Sequence, residues 1–302
     1  MRPRIPSPWG RALVARVIYL VLSFLAGFLV LAGFGLLDDL TQAAGDPDGG
    51  VRAGAQLLED PQVLTMLLGV QALVGVAVAL GMTVWIDRRP ILGGVNVPWG
   101  SRSAELGWGL MLGVVLASVV VLSISAAGKR HVKFHGFADA GVEWGILAGL
   151  VVLASAIMEE LLVRGYLYGT LRPAYAPGGT IPCTSIRGAA LHRTNPGSSP
   201  IASINVFIVG IVLGQLREIT NGIAVPIGLH AGWNLAAGIV LGTSVSGLTL
   251  PSVFRISTHD LPVALGGGDF GPEGSLLVTV LFGGLAAWLA YRMVRVNEHE
   301  GG

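Results

Sequence analysis

Three long stretches of this chain contain no Asp, Glu, Lys or Arg. They are residues 17–37, 62–86 and 106–128. A helix needs ~20 consecutive apolar residues to cross the hydrocarbon core of a bilayer, so each stretch is long enough to form a span. Only 12% of the 302 residues are charged, which is about half the usual share in soluble domains. We therefore predict a polytopic membrane protein.

Apolar segments of similar length recur along the rest of the chain, and they predict an all-α transmembrane helical bundle of about eight spans. The candidate spans are residues 13–37, 62–86, 104–127, 143–170, 178–193, 199–217, 221–244 and 274–294. The fifth span is the weakest, because it contains Pro182 and Arg187. The two longest loops, residues 38–61 and 245–273, are rich in glycine and are predicted to be surface linkers.

Basic residues predict the orientation of these spans. Eight spans place both termini on one side, and arginines near the span ends mark that side as cytoplasmic under the positive-inside rule. These arginines are Arg2, Arg4, Arg11, Arg16, Arg88, Arg89, Arg102, Arg172, Arg217, Arg292 and Arg295. Lys129, Arg130 and Lys133 fall on the opposite side. We predict a protein of the plasma (inner) membrane, surrounded by lipid, with both termini cytoplasmic.

Two further properties limit the possible partners and chemistry. The net charge of +1 gives no reason to expect a nucleic-acid partner. The single cysteine, Cys183, excludes an intrachain disulfide and a cysteine-based metal cluster.

Two adjacent acids stand at the end of the fourth span. Glu159 and Glu160 follow an apolar run and precede Arg164. In a helix Glu160 and Arg164 share a face and pair in the favourable order, whereas Glu159 is rotated by about 100° and stays outside that pair. A carboxylate at membrane depth is costly, which indicates a functional site. The alternative is that both acids only mark the end of the helix, with Arg164 reaching the interface.

Two polar side chains stand four residues apart in the seventh span. A helix places His230 and Asn234 on one face. They could bind a metal, donate to an oxyanion, or form hydrogen bonds between helices, and the last role is common in membrane proteins.

His192 lies at the predicted end of the fifth span, where a histidine is often only an interfacial residue. Together with Glu159, His230 and Asn234, it completes a set suited to hydrolysis. A carboxylate and an imidazole can deprotonate a water molecule, and a second imidazole and an amide can stabilise an oxyanion. The sequence contains neither a Gly-x-Ser-x-Gly nor a His-Glu-x-x-His pattern.

This arrangement, Glu159-Glu160-x-x-x-Arg164, His192 and His230-x-x-x-Asn234, resembles the CPBP family over residues 140–250. These are the CAAX-protease and bacteriocin-processing (Abi) intramembrane peptidases, related to the type II CAAX prenyl endopeptidases. The resemblance implies a helical core with an active-site cavity inside the membrane, open to the cytoplasm, and a membrane-anchored protein or peptide as substrate. It divides the chain into N-terminal transmembrane helices (1–135, three spans), a catalytic core (136–250), and a loop with a C-terminal transmembrane helix (251–302).

The resemblance also assigns roles. Glu159 and His192 would activate water, His230 and Asn234 would form the oxyanion site, and Glu160 and Arg164 would be structural. No cofactor is then needed, although Glu159, His192 and His230 are alternative zinc ligands. A transporter would often show two related halves, and none is visible in the sequence.

The chain departs from the family pattern in its fifth span. The family usually has Phe-x-x-x-His there, and Gly188 stands in the Phe position. One explanation is divergence, with activity weakened or lost and a remaining role as a membrane scaffold or bacteriocin-immunity protein. The other is a local error in the coding sequence, such as two compensating frameshifts.

Overall fold

A computed structural model of the chain describes residues 3–37, 59–89, 102–128, 132–138, 140–256 and 261–300. Its helices are α1 (Pro8–Gly33), α2 (Pro61–Gly81), α3 (Arg102–Ala127), α4 (Val142–Glu160), α5 (Pro177–Leu191), α6 (Pro200–Ile219), α7 (Ala224–Asn234), α8 (Val263–Gly266) and α9 (Leu276–Glu300). One antiparallel pair of two-residue strands, β1 (Lys133–Phe134) and β2 (Phe254–Arg255), accompanies them. The predicted all-α polytopic bundle is confirmed.

Three helices continue without a break into wider, π-helical turns. These turns are Met82–Ile86 after α2, Leu161–Leu167 after α4 and Leu235–Val240 after α7, and α4 then ends with an α-helical turn at Tyr168–Leu171. Two of the π-helical turns begin directly after Glu160 and Asn234, which both belong to the predicted site. Such turns are frequent at functional sites.

Within the described residues, six helices are long and apolar enough to cross a membrane, so the predicted number of eight spans is approximate. The six are Pro8–Gly33, Pro61–Ile86, Arg102–Ala127, Val142–Leu171, Pro200–Ile219 and Leu276–Arg295. The predicted fifth and seventh spans correspond to shorter helices, α5 with 15 residues and Ala224–Val240. At 1.5 Å per residue they extend about 22 and 26 Å, less than the ~30 Å of the hydrocarbon core.

The starts of several helices follow directly from the sequence. α1, α2 and α6 each begin with a proline that follows a Ser or Asp. Ser7, Asp60 and Ser199 accept hydrogen bonds from backbone N–H groups in the first turn of these helices. Proline at the first helical position has no N–H to leave unsatisfied.

Glycines bring α3 and α7 into backbone contact. A Cβ atom on Gly109 or Gly113 would collide with backbone atoms of α7, and one on Gly228 or Gly232 would collide with the backbone of α3. This four-residue spacing of small residues is the usual way for membrane helices to approach closely. The contact fixes α7, which carries His230 and Asn234.

The remaining helices pack around this pair. Trp233 of α7 stacks edge-on against Phe282 of α9, with ring centroids 5.4 Å apart. α2 packs against α4 where Gly75 receives Met158, and α5 packs against α6 where Gly210 receives Ser185. The helices α4, α5, α6 and α7, which position the predicted site residues and their partners, are therefore held by side chains of complementary size.

The prediction of surface linkers was wrong for residues 245–273. Val245, Leu250, Ile256 and Phe270 in this loop are all buried. Glycines with positive φ let the chain turn back between these apolar residues, so the loop packs against the bundle. Residues 38–58 of the other predicted linker lie outside the described residues.

Candidate active site

All four predicted catalytic residues line one cavity of about 380 Å³: Glu159, His192, His230 and Asn234. Its walls come from α1, α2, α4, α5, α7 and the loop after α7. Most of the lining is apolar, including Ala15, Leu68, Val152 and Leu250. A few polar groups in an otherwise apolar pocket are typical of a ligand-binding or catalytic site.

Glu159 and His192 lie next to each other in the lining of the cavity. His192 Nε2 lies 3.8 Å from Glu159 Oε2, and the two side chains are 19% and 27% exposed. This separation is too long for a direct hydrogen bond. Both groups remain accessible from the cavity, so a small molecule can contact them together.

The ring of His192 contacts the backbone of α5. Its Nδ1 lies 3.1 Å from the Gly188 carbonyl oxygen. Because a carbonyl only accepts hydrogen bonds, this contact is a hydrogen bond in the tautomer with hydrogen on Nδ1, and in that neutral ring Nε2 presents a lone pair to Glu159. The ring is thus oriented by the last turn of α5, and the basic nitrogen points to the carboxylate.

Glu160 is fully buried and joins two helices. Arg164 Nη1 donates to Glu160 Oε1 over 3.0 Å, so the predicted ion pair forms. His230 Nδ1 lies 3.1 Å from the same oxygen, a contact that the sequence did not predict. Glu160 therefore orients His230, and the acid next to Glu159 connects α4 to α7.

Arg164 extends this buried network to α6. Its Nη2 donates to the Gly210 carbonyl over 3.0 Å, and the Arg164 carbonyl accepts from Arg217 Nε over 3.3 Å. Arg164 is 5% exposed. The predicted alternative, in which Arg164 reaches the interface, is wrong because its guanidinium is held between Glu160 and α6.

His230 and Asn234 occupy one face of α7 and both line the cavity. With Nδ1 directed to Glu160, the second ring nitrogen of His230 is the one available for a bound molecule. Within the part of the chain that the structure describes, the Asn234 carboxamide has no hydrogen-bond partner. Both side chains can therefore donate to a molecule in the cavity.

Tyr19 and Ser246 are two of the cavity residues that the sequence prediction missed. Tyr19 of α1 lines the cavity and lies within electrostatic range of Glu159. A tyrosine inside the first apolar stretch is the signal that could have indicated it. Ser246 belongs to the loop after α7, and no local pattern in the sequence indicates its place.

The alternative zinc site is not assembled in this arrangement. Among the described ranges of the chain, no three His, Cys, Asp or Glu side chains are positioned to hold a metal ion. Glu159, His192 and His230 thus line one cavity without forming a metal-ligand set.

These helices and this cavity define a class: polytopic helical membrane proteins with a carboxylate–imidazole site between their helices. Residues 141–236 match a family model that is described as type II CAAX prenyl endopeptidase Rce1-like. The match covers about a third of the chain and includes every predicted site residue. It confirms the predicted resemblance, so this segment is similar to CAAX-type intramembrane endopeptidases. No curated protein and no solved structure matches the chain.

Proposed function

We propose that this protein is an intramembrane endopeptidase that hydrolyses a peptide bond of a membrane-associated protein or peptide. The observation that carries the proposal is the position of Glu159 and His192, which face each other at one cavity that His230 and Asn234 also line. The family match over residues 141–236 supports the same class of reaction.

Glu159 and His192 activate the attacking water in this mechanism. Glu159 Oε2 and His192 Nε2 are both hydrogen-bond acceptors 3.8 Å apart. A water molecule has two hydrogens and can donate one to each of them. As the water oxygen attacks the carbonyl carbon, its proton passes to this pair, which acts as general base.

His230 and Asn234 stabilise the oxyanion that forms on the substrate carbonyl oxygen. The Asn234 amide donates one N–H, and His230 donates from the ring nitrogen that does not face Glu160. The Glu160 carboxylate, 3.1 Å from His230, stabilises the positive ring that this donation needs. Donors fixed before the reaction are the main source of such stabilisation.

The tetrahedral intermediate then breaks its C–N bond. The leaving amine takes the proton held by Glu159 and His192, and the new carboxyl group leaves with the other fragment. The electrons balance without an oxidant or a reductant, and each proton stays within the cavity. Glu160 and Arg164 touch no reacting atom in this scheme, and they position His230.

A metal-independent reaction is part of the proposal. It predicts that activity persists after exhaustive chelation and that the purified protein contains no stoichiometric zinc. Loss of activity on chelation, with recovery on adding zinc, would instead support the alternative ligands Glu159, His192 and His230.

The membrane topology is proposed with the activity. Both termini lie in the cytoplasm of a cell whose plasma (inner) membrane holds the protein, and the cavity opens to that side. Reporter fusions at the N-terminus and after α9 test the orientation. Activity at either terminus of a reporter that works only outside the cytoplasm would overturn this orientation.

The central experiment compares wild type with Glu159→Gln, which keeps the size of the side chain and removes its charge. Purified protein in lipid vesicles is given two membrane-anchored reporter peptides, one prenylated at a C-terminal CAAX sequence and one not. We expect Glu159→Gln to lower cleavage by about 100-fold or more. Full activity of this variant would refute the mechanism.

The scaffold or immunity role is the alternative outcome. It predicts no cleavage by wild type and full complementation of a deletion strain by Glu159→Gln. Proteomic comparison of wild type with Glu159→Ala in the native host then identifies the substrate, because an uncleaved precursor accumulates only if the protein is a protease.

A further inference from the structure

The turn that follows His192 is docked onto the loop after α7. We name residues 192–197 the His192 turn and the described residues 245–256 and 261–275 the C-terminal loop. Asn195 Nδ2 donates to the Ser246 carbonyl over 2.8 Å. A Cβ atom on Gly247 would collide with the Pro196 carbonyl, so only glycine allows this close approach. The two segments therefore touch through backbone and side-chain contacts.

Ser246 has a strained backbone conformation. Its φ is +48°, a left-handed backbone that costs a non-glycine residue about 1–2 kcal/mol. Its N–H and its Oγ both donate to Glu273 Oε2, over 2.5 and 2.8 Å. Such strained residues persist only where their surroundings hold them, and they cluster at functional sites.

Glu273 connects this strained residue to the helix that carries the oxyanion donors. Its other oxygen, Oε1, accepts from Trp233 Nε1 over 2.9 Å. Trp233 is a buried residue of α7 next to Asn234. One carboxylate thus binds both α7 and the segment that supports the His192 turn.

The backbone of Glu273 is itself fixed to α6. Asn205 Nδ2 donates to the carbonyls of Glu273 and Ser275, over 2.7 and 2.8 Å. The Asn205 side chain is held in turn by Thr279, whose hydroxyl donates to Asn205 Oδ1 over 2.6 Å. Glu273 is therefore a rigid connection between α6, α7 and the C-terminal loop.

We infer that Glu273 is a positioning residue that sets the place of His192 relative to His230 and Asn234, acting through Ser246 and Asn195. This inference rests on the proposed peptidase activity. Glu273 lies outside residues 141–236, the segment that matches the family. The C-terminal loop contacts the His192 turn, which directly follows α5, the helix that departs from the family pattern.

The test uses Glu273→Gln, which keeps the size of the side chain. A glutamine amide cannot accept from Trp233 and Ser246 together, because one of its two ends is a donor. Gln215→Leu is the matched control: Gln215 is a buried α6 residue that donates to the Ala286 carbonyl of α9, away from the cavity. Asn195→Ala removes the bond to Ser246, and because Asn195 also lines the cavity, hydrogen exchange in the turn is the readout that isolates the effect of this bond.

Two measurements are made on the full-length protein in lipid vesicles. We expect Glu273→Gln and Asn195→Ala to lower kcat by about tenfold to 100-fold, with KM changed less than about threefold, since small misplacements of catalytic groups cost this much. Amide hydrogen exchange should become faster in residues 192–197 and stay unchanged in residues 224–234. Gln215→Leu should change neither kcat nor exchange in residues 192–197.

Exchange separates failure of this inference from failure of the proposed function. If Glu273→Gln and Asn195→Ala leave exchange in residues 192–197 at the wild-type rate, Glu273 does not position the turn. If wild type cleaves nothing while exchange in residues 192–197 rises in the two variants, the structural role of Glu273 is supported and the proposed peptidase activity is refuted. Should Glu273→Gln fail to fold, Asn195→Ala decides the question alone, and wild-type kcat and exchange in that variant would overturn the inference.

Discussion

The two sides of the cavity are built in different ways. On one side, α4 and α7 carry Glu159, Glu160, His230 and Asn234 within helices, and a buried network and close glycine packing hold them. On the other side, His192 stands just beyond the end of α5, in a turn that rests on the C-terminal loop. Helix geometry sets the spacing within the first set, whereas His192 belongs to a turn that contacts a distant segment.

Because of this difference, substitutions on the two sides should affect the protein differently. A residue inside a packed helix fails mainly through lost stability, because its neighbours are buried. A residue in a supported turn loses its position at little cost to the bundle. Variants in the buried network on the α4–α7 side should therefore change stability and activity together, whereas variants of the cavity-facing Glu159 and variants on the α5 side should change activity more than stability.

Removing Glu160 should have the largest effect. Glu160→Leu leaves the Arg164 guanidinium buried without its carboxylate, and breaking a buried pair in this way costs about 3–5 kcal/mol. The melting temperature, followed by the reaction of a thiol dye with the single cysteine, Cys183, should fall by many degrees.

The neighbouring acid provides the matched control. Glu159→Gln should melt like wild type, because Glu159 lies outside the pair. The double variant Glu160→Leu/Arg164→Met should recover part of the lost stability, since the buried Arg164 charge is then removed together with its partner. If Glu160→Leu melted at the wild-type temperature, the buried Glu160–Arg164 network would not stabilise the α4–α7 side.

Gly113→Ala should have the next largest effect. The new methyl group meets backbone atoms of α7, which cannot rotate away, so we expect a loss of about 1–3 kcal/mol. Gly107→Ala in the same helix meets no atom of the described residues within 4 Å and should be neutral or slightly stabilising. Equal melting temperatures for the two variants would argue against close α3–α7 packing.

On the opposite side, Gly247→Ala should loosen the His192 turn. Gly247 and Gly268 both have positive φ, so alanine strains the backbone at each. Only Gly247 would also meet the Pro196 carbonyl. We expect Gly247→Ala to be less stable than Gly268→Ala by about 1 kcal/mol and to lose more kcat. Similar kcat values for both would separate the turn from catalysis.

The smallest effect should be a gain in stability at Gly188. This glycine lies inside α5, and no atom of the described residues outside its own helix turn lies within 4 Å of the position its Cβ would take. Gly188→Ala should add about 0.5–1 kcal/mol, because alanine is the better helix former. Gly149→Ala in α4 is a control with equally open space. A loss of stability at Gly188 would indicate that α5 needs the flexibility of glycine.

Local patterns in the sequence determined the bundle and most of one side of the site. Charge-free apolar stretches predicted the helices, since a chain in a bilayer has to satisfy its backbone hydrogen bonds internally. Helix periodicity predicted the Glu160–Arg164 pair, which forms, and it placed His230 and Asn234 on one face of α7. The contact between His230 and Glu160 joins residues 70 positions apart, so no local pattern could predict it.

Only the tertiary structure decided how the C-terminal loop is used. Its glycines indicated a linker, yet their positive φ values let buried residues such as Leu250 and Phe270 return to the bundle. The turn that begins at His192 makes a hydrogen bond and a backbone contact with residues about 50 positions away, Ser246 and Gly247. Sequence periodicity describes neighbours on one helix, whereas a contact between a turn and a distant loop depends on how the whole bundle packs.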